Sequence, residues 1–287
     1  MTQRVVEIEG SRVTLAEPDD VRQRTFVGRE KELRMCRVAW GVTQDGTEFL
    51  PSEVPPLPFR LEGAPGLGKN EIVYEIARAL GKPLYILQGH EEFTPEDLAL
   101  LLAPDPEAAF VDAMPMTLRA SKLATALHVG GLFFFDEINR VPERALSPLA
   151  SVLDGRQSIY SAMTGITIKP PDEEARQGFR FCCALNPGLS SAGYVLPDYI
   201  EQRTIPVIEI NHPPFEDLQQ IIQRHLNPSP DFLDAFTEWY HKEERAEVSV
   251  RQALALVTYA MSYEKQVGGR KAGILDKVAS FVMGRKS

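Results

Sequence analysis

Two short stretches of the chain hold residue types whose spacing has a definite chemistry. Gly63-Ala64-Pro65-Gly66-Leu67-Gly68-Lys69-Asn70 follows the strand-like run Pro58-Phe59-Arg60-Leu61 and precedes Glu71 to Leu80, whose apolar residues recur at helical spacing. Strand, glycine-rich turn and helix in that order make a phosphate cradle. Three glycines let the backbone curl until consecutive N–H groups face one anion, the helix N-terminus adds its positive dipole end, and the Lys69 ammonium reaches terminal phosphates. Gly63, Ala64, Pro65, Gly66, Leu67, Gly68, Lys69, Asn70 and Glu71 are therefore the candidate nucleotide-binding residues. The pattern ordinarily closes with Ser or Thr, whose hydroxyl ligates magnesium, whereas here the position is Asn70, with a side-chain carbonyl as the available oxygen. Taken alone, the octet also suits a glycine-rich turn that carries no ligand.

The second stretch is Leu132-Phe133-Phe134-Phe135-Asp136-Glu137. Four bulky apolar residues of strand length predict a central parallel strand, and two carboxylates at its C-terminal edge stand where open α/β sheets bind ligands. Asp136 is suited to hold a hydrated magnesium ion, and Glu137 to orient and polarise water for attack on a γ-phosphate. An acidic helix start would look the same in isolation. The combination is more specific: a glycine-rich turn and, about 70 residues later, an apolar strand closing on Asp-Glu is the order used by P-loop ATPases.

The elements that must position these groups read as an α/β domain followed by a helical one. Arg4 to Leu15 alternates around Gly10-Ser11 like a hairpin, and Glu30 to Trp40 is helical. Pro58 to Leu61, Pro83 to Gln88, Leu132 to Phe135, Phe179 to Leu185 and Thr204 to Ile210 are the expected strands of a parallel five-stranded sheet. Glu96 to Leu102 and Leu118 to His128 read as one helix interrupted by an insertion, Pro104 to Pro115. Val141 to Leu153 reads as a helix, and Gln157 to Lys169 as two short strands around Thr164-Gly165. Beyond Pro213-Pro214 the pattern is helical only. The expected domains are an N-terminal hairpin over 1–25, an α/β nucleotide-binding domain over 26–212 and a small all-helical lid over 213–287.

Composition narrows the function. The chain has 287 residues, 44% of them hydrophobic, and a formal net charge of −9 without a long basic run, so nucleic acid and anionic membrane are not expected partners. The longest apolar run cannot span a bilayer and no signal-peptide core follows Met1, which points to the cytoplasm. The three cysteines and five histidines show no metal-ligand spacing.

The segment Gly130 to Arg140, with Asp136-Glu137-Ile138-Asn139-Arg140 at its end, resembles the Walker B region of the MoxR group of AAA+ ATPases, and Gly63 to Lys69 resembles Walker A apart from Asn70. Gly89 to Leu98 is similar to the stretch after the second strand in the CbbQ, NorQ and gas-vesicle GvpN branch. The resemblance runs from about Phe26 to Leu256. It implies a P-loop AAA+ core with a lid, ATP and Mg2+ as ligands with Asn70 and Asp136 at the metal, and Glu137 as the catalytic carboxylate. It further implies Asn186 as sensor 1, Arg203 as an arginine finger reaching a neighbouring subunit, and Arg251 as sensor 2. By resemblance Pro104 to Pro115 and Gln157 to Lys169 face the pore of a homo-hexameric ring that remodels, activates or assembles a partner complex, the partner bearing a von Willebrand factor A domain. Two other functions fit less of the chain. A nucleotide-binding structural ring with little turnover is motivated by Asn70, and a DNA-directed motor is opposed by the acidic charge and by the lack of basic residues in Pro104 to Pro115.

Overall fold

The structure, a computed structural model, describes residues 4–21, 25–43, 47, 55–104, 116–187, 193–242, 248–267 and 273–282. The chain forms two compact units. The first comprises Met1–Arg22, Lys31–Glu62 and Ile72–Glu209, and the second Gln23–Glu30, Gly63–Glu71 and Ile210–Ser287.

In chain order the elements begin with strands β1 (Val5–Ile8) and β2 (Ser11–Thr14), helix α1 (Glu30–Ala39), β3 (Phe59–Glu62), α2 (Lys69–Leu80) and β4 (Leu84–Gln88). Next come β5 (Leu100–Pro104), β6 (Met116–Ala120), α3 (Lys122–Val129), β7 (Leu132–Asp136), the short α4 (Leu149–Val152), β8 (Ile159–Tyr160) and β9 (Thr167–Ile168). Then follow α5 (Glu173–Gly178), β10 (Arg180–Leu185), α6 (Asp198–Glu201) and β11 (Val207–Glu209). The last four are α7 (Phe215–Leu226), α8 (Pro230–Lys242), α9 (Val250–Val267) and α10 (Ile274–Val282).

The centre of the first unit is a five-stranded sheet in the order β11-β3-β10-β7-β4, with every neighbouring pair parallel. Strand β7 explains its own position. Leu132, Phe133, Phe134 and Phe135 are all fully buried, as a strand covered on both faces must be. Phe133 packs against Phe181 of β10 and Phe135 against Phe93, each with ring centroids 5.6 Å apart. The polar end of the strand, Asp136, is thereby held at the C-terminal edge of the sheet, level with Gln88 of β4.

A second sheet, β1-β2-β6-β5, was not legible as such in the sequence. The expected helix over Glu96 to Leu102 is instead one 3-10 turn, Pro95–Leu98, followed by β5, and Leu118 to Ala120 belongs to β6, so the helix resumes only at Lys122. Ser121 sets that start, since its Oγ accepts the Ala124 N–H at 3.0 Å. The insertion therefore springs from an antiparallel strand pair rather than from a broken helix, and its residues 105–115 lie outside the described residues. The helix expected over Val141 to Leu153 is also broken. Pro142 and Pro148 leave a 3-10 turn, Glu143–Leu146, and the single turn α4. Helix α5, capped by Asp172, was not anticipated.

The helical part of the second unit, α7 to α10, packs around Leu218, Ile222, Phe236, Trp239, Leu256 and Leu275. Helix α9 begins with a reciprocal cap. Ser249 N–H donates to Gln252 Oε1 at 3.0 Å, and Gln252 N–H donates to Ser249 Oγ at 3.2 Å.

Candidate nucleotide site

The predicted site residues fall into two groups, one in each unit. In the second unit, Gly66 and Gly68 have φ of 80° and 93°, a backbone that side-chain-bearing residues rarely adopt. A Cβ at Gly63 would lie 2.4 Å from the Ile210 carbonyl oxygen, and one at Gly66 would lie 2.9 Å from Arg251 Cβ. Gly66 therefore requires glycine by contact as well as by conformation, and Gly63 by contact. Lys69, the first residue of α2, is buried and curls back over the loop, where its Nζ donates to the Gly63 and Ala64 carbonyls at 2.6 and 3.1 Å. The ammonium is thus held inside the loop whose N–H groups would face an anion, and the geometry fits a phosphate chain. Asn70 and Glu71 occupy the first turn of α2.

The same unit brings Arg251 to the loop, since its N–H donates to the Gly66 carbonyl at 3.3 Å while its side chain is exposed. Arg29 was missed by sequence reading. Its guanidinium donates to the carbonyls of Leu67 at 3.1 Å and Asn211 at 2.6 Å, bracing the loop from the side. A pair of positive-φ residues, Gly28 and Arg29, marks the bend that aims it, and a Cβ at Gly28 would collide with the Asp217 carboxylate.

In the first unit, β7 ends at Asp136, whose Oδ1 accepts the Glu137 N–H at 3.0 Å. Glu137 then takes a left-handed conformation, φ 52°, and caps the 3-10 turn Ile138–Arg140. Such a backbone costs on the order of 1–3 kcal/mol and persists only where its surroundings hold it. Those surroundings are visible. Arg140 Nη1 donates to Glu137 Oε2 at 3.0 Å, Gln88 Nε2 donates to the same oxygen at 3.3 Å, and Asn186 Nδ2 lies 3.5 Å from Oε1. Asn186, just beyond β10, is buried. Glu137 and Asn186 are therefore brought together.

Gln88, Gly89 and Arg140 are additions that sequence reasoning did not single out as site residues. A Cβ on Gly89 would lie 2.4 Å from the Glu137 carbonyl oxygen, so glycine there lets β4 and the turn at Glu137 approach. The signal for Arg140 was present in its i+3 spacing from Glu137.

Arg203 is elsewhere. It follows α6, and its Nη1 donates to the Tyr199 carbonyl at 2.8 Å. Its positive charge, after that of the hydrogen-bonded Arg156, helps keep the Asp154 carboxyl below the usual range. Among the described residues no group of three or more His, Cys, Asp or Glu side chains could by itself hold a metal ion. Asp136 in the first unit and Asn70 in the second each carry an oxygen of the hard type that magnesium prefers. Cys36, Cys182 and Cys183 are buried thiols, and burial raises the pKa of each above the ordinary thiol value.

Residues 58–198 match the AAA domain of the dynein-related subfamily. The denitrification regulatory protein NirQ of Stutzerimonas stutzeri is 23% identical over 166 residues, 58% of this chain and 56% of NirQ. Protein CbbQ of Hydrogenophilus thermoluteolus is 26% identical over 166 residues, 58% of this chain and 57% of CbbQ. The matches thus span little more than half the length of these relatives. Among solved structures, the RuvB Holliday junction branch migration motor of Thermotoga maritima shares the fold, with a TM-score of 0.55 over 89% of this chain and 70% of that one at 20% identity.

Proposed function

We propose, from the premise that the chain belongs to the AAA+ ATPases of the MoxR branch, that it binds ATP with Mg2+ on Gly63 to Glu71 and hydrolyses it to remodel, activate or assemble a partner protein complex. The observation that carries the reading is the Glu137 carboxylate, held at the end of β7 against the Asn186 amide. In this reading Lys69 and the loop N–H groups hold the phosphates. Glu137 accepts a hydrogen bond from water and polarises it toward the γ-phosphate, with Asn186 fixing the carboxylate and the water's place. Magnesium, on Asp136 and Asn70, would neutralise charge on the phosphate oxygens. Arg203, bonded to Tyr199 and not to Glu137, is assigned to the site of a neighbouring subunit in a homo-hexamer. Arg251, beside Gly66, reports on the nucleotide from the lid.

The partner is proposed to be a protein with a von Willebrand factor A domain, and the compartment to be the cytoplasm. No helix among the described residues is long and apolar enough to cross a membrane. The net charge of −9 weighs against a DNA-directed role.

Asn70 favours one other reading, a ring that binds nucleotide and turns it over little. The longer amide must present its oxygen rather than its NH2 to the cation, a constraint that a Thr hydroxyl does not have. The cradle itself does not use this side chain, so nucleotide binding should persist while magnesium dependence weakens. Asn70→Thr is expected to raise turnover and lower the magnesium concentration for half-maximal rate, measured by phosphate release across a magnesium titration. Superimposable curves would make Asn70 an adequate ligand. Absence of turnover in both variants, with ATP still bound, would favour the structural ring.

A further inference from the structure

The N-terminal segment, residues 4–19, bonds to three separate parts of the first unit, and neither the nucleotide site nor the fold of the five-stranded sheet accounts for that arrangement. Its hairpin turns at Glu9 and Gly10, both with positive φ, the turn type whose twist matches paired strands. Strand β2 then lies parallel to β6, with Val13 opposite Leu118 and Thr14 opposite Arg119, so the segment is built into the sheet that carries the first insertion. At the hairpin tip the Glu9 carboxylate accepts the Thr167 N–H at 3.1 Å, on the outer edge of the β8–β9 hairpin.

The segment then crosses α3, where Ala16 N–H donates to the buried Thr125 Oγ1 at 2.9 Å. It ends along β4, the edge strand of the five-stranded sheet. Asp19 N–H donates to the Leu84 carbonyl at 2.8 Å, Asp19 Oδ2 accepts the Ile86 N–H at 2.7 Å, and the carboxylate pairs with Lys122 at 2.6 Å. Two residues beyond Ile86, the same strand closes on Gln88, which donates to Glu137.

We infer that residues 4–19 are a strap coupling strand β4, beside the catalytic carboxylate, to the insertion sheet and the β8–β9 hairpin. The inference rests on the nucleotide-binding reading. A change at Glu137 displaces Gln88 and the edge of β4. Asp19 holds that edge through its backbone N–H on the Leu84 carbonyl and its carboxylate on the Ile86 N–H, and its pair with Lys122 anchors it to α3, so the displacement is carried along the strap to Glu9 and Thr167 instead of being absorbed by an open strand edge. Glu9 and Asp19 touch neither the phosphate loop nor Glu137, which makes them positioning residues.

The test compares amide hydrogen exchange in the parent, Glu9→Ala and Asp19→Ala, each with and without a non-hydrolysable ATP analogue and magnesium, with binding of the analogue titrated separately. In the parent the analogue is expected to change exchange at 116–120 and 159–168 by about tenfold. In Asp19→Ala both responses should largely disappear, and in Glu9→Ala the response at 159–168 alone, while analogue affinity stays within about twofold of the parent. Parent-like responses in both variants would overturn the strap. So would a parent that binds the analogue without any response in the hairpins. A parent that binds no analogue would instead overturn the nucleotide reading. If Asp19→Ala fails to fold by thermal melting, Glu9→Ala, at an exposed turn, carries the test.

Discussion

Glu137→Gln is expected to leave ATP binding intact and to lower turnover by about 10²–10⁴-fold. The amide keeps the shape of the side chain, and its single oxygen can still accept from Arg140 and Gln88, so the left-handed turn after β7 should survive. What it loses is the negative charge that the proposed mechanism uses to polarise water. The second oxygen is replaced by an NH2 group, which would face the Asn186 amide donor and disturb the 3.5 Å contact seen there. Binding isotherms alongside steady-state phosphate release separate the two effects. Turnover within a few-fold of the parent would remove Glu137 from the chemistry.

Arg203→Ala is expected to cost about a thousandfold or more in turnover, the usual worth of an arginine supplied to a phosphoryl-transfer transition state from a neighbouring subunit. Nucleotide binding by each subunit should persist. In its own chain Arg203 donates to the Tyr199 carbonyl and makes no bond to Glu137, so a loss of activity on its removal would be hard to assign to the subunit that carries it. Mixing Arg203→Ala with Glu137→Gln gives a direct test: two inactive variants should restore turnover together, because each supplies what the other lacks. A monomeric preparation with the full rate would contradict the shared site.

The central strand that carries the candidate carboxylates was legible because burial on both faces forces a continuous apolar run. Leu132 to Phe135 could be read as a central strand from residue types alone, and the two carboxylates that close it then had only one edge to occupy. The phosphate loop was legible for a different reason: positive φ at Gly66 and Gly68 and the contact at Gly63 exclude most other residues. The second sheet was not. Its central pairing, Val13 with Leu118, joins residues about a hundred positions apart, and Leu98, Leu100 and Leu102 occupy spacings that either a helix or a strand could use. The Ser121 N–H bond to the Ala99 carbonyl and the β5–β6 ladder decide it, and both are tertiary. Gln88 and Arg29 were missed for the same reason. A polar residue at a strand end or an arginine after a glycine has no pattern of its own until the fold shows which carboxylate or carbonyl it meets.

The central claim, that Gly63 to Glu71 is a nucleotide cradle, is tested most directly by titrating ATP into the parent and into Lys69→Ala by calorimetry. Lys69 is buried with its ammonium over the Gly63 and Ala64 carbonyls, so its removal takes the only side-chain cation out of the octet Gly63 to Asn70. Saturable binding by the parent, weakened about tenfold or more in Lys69→Ala at an unchanged melting temperature, is the result this account predicts. A folded parent that binds no ATP, or a Lys69→Ala variant that binds it as tightly as the parent, would contradict it.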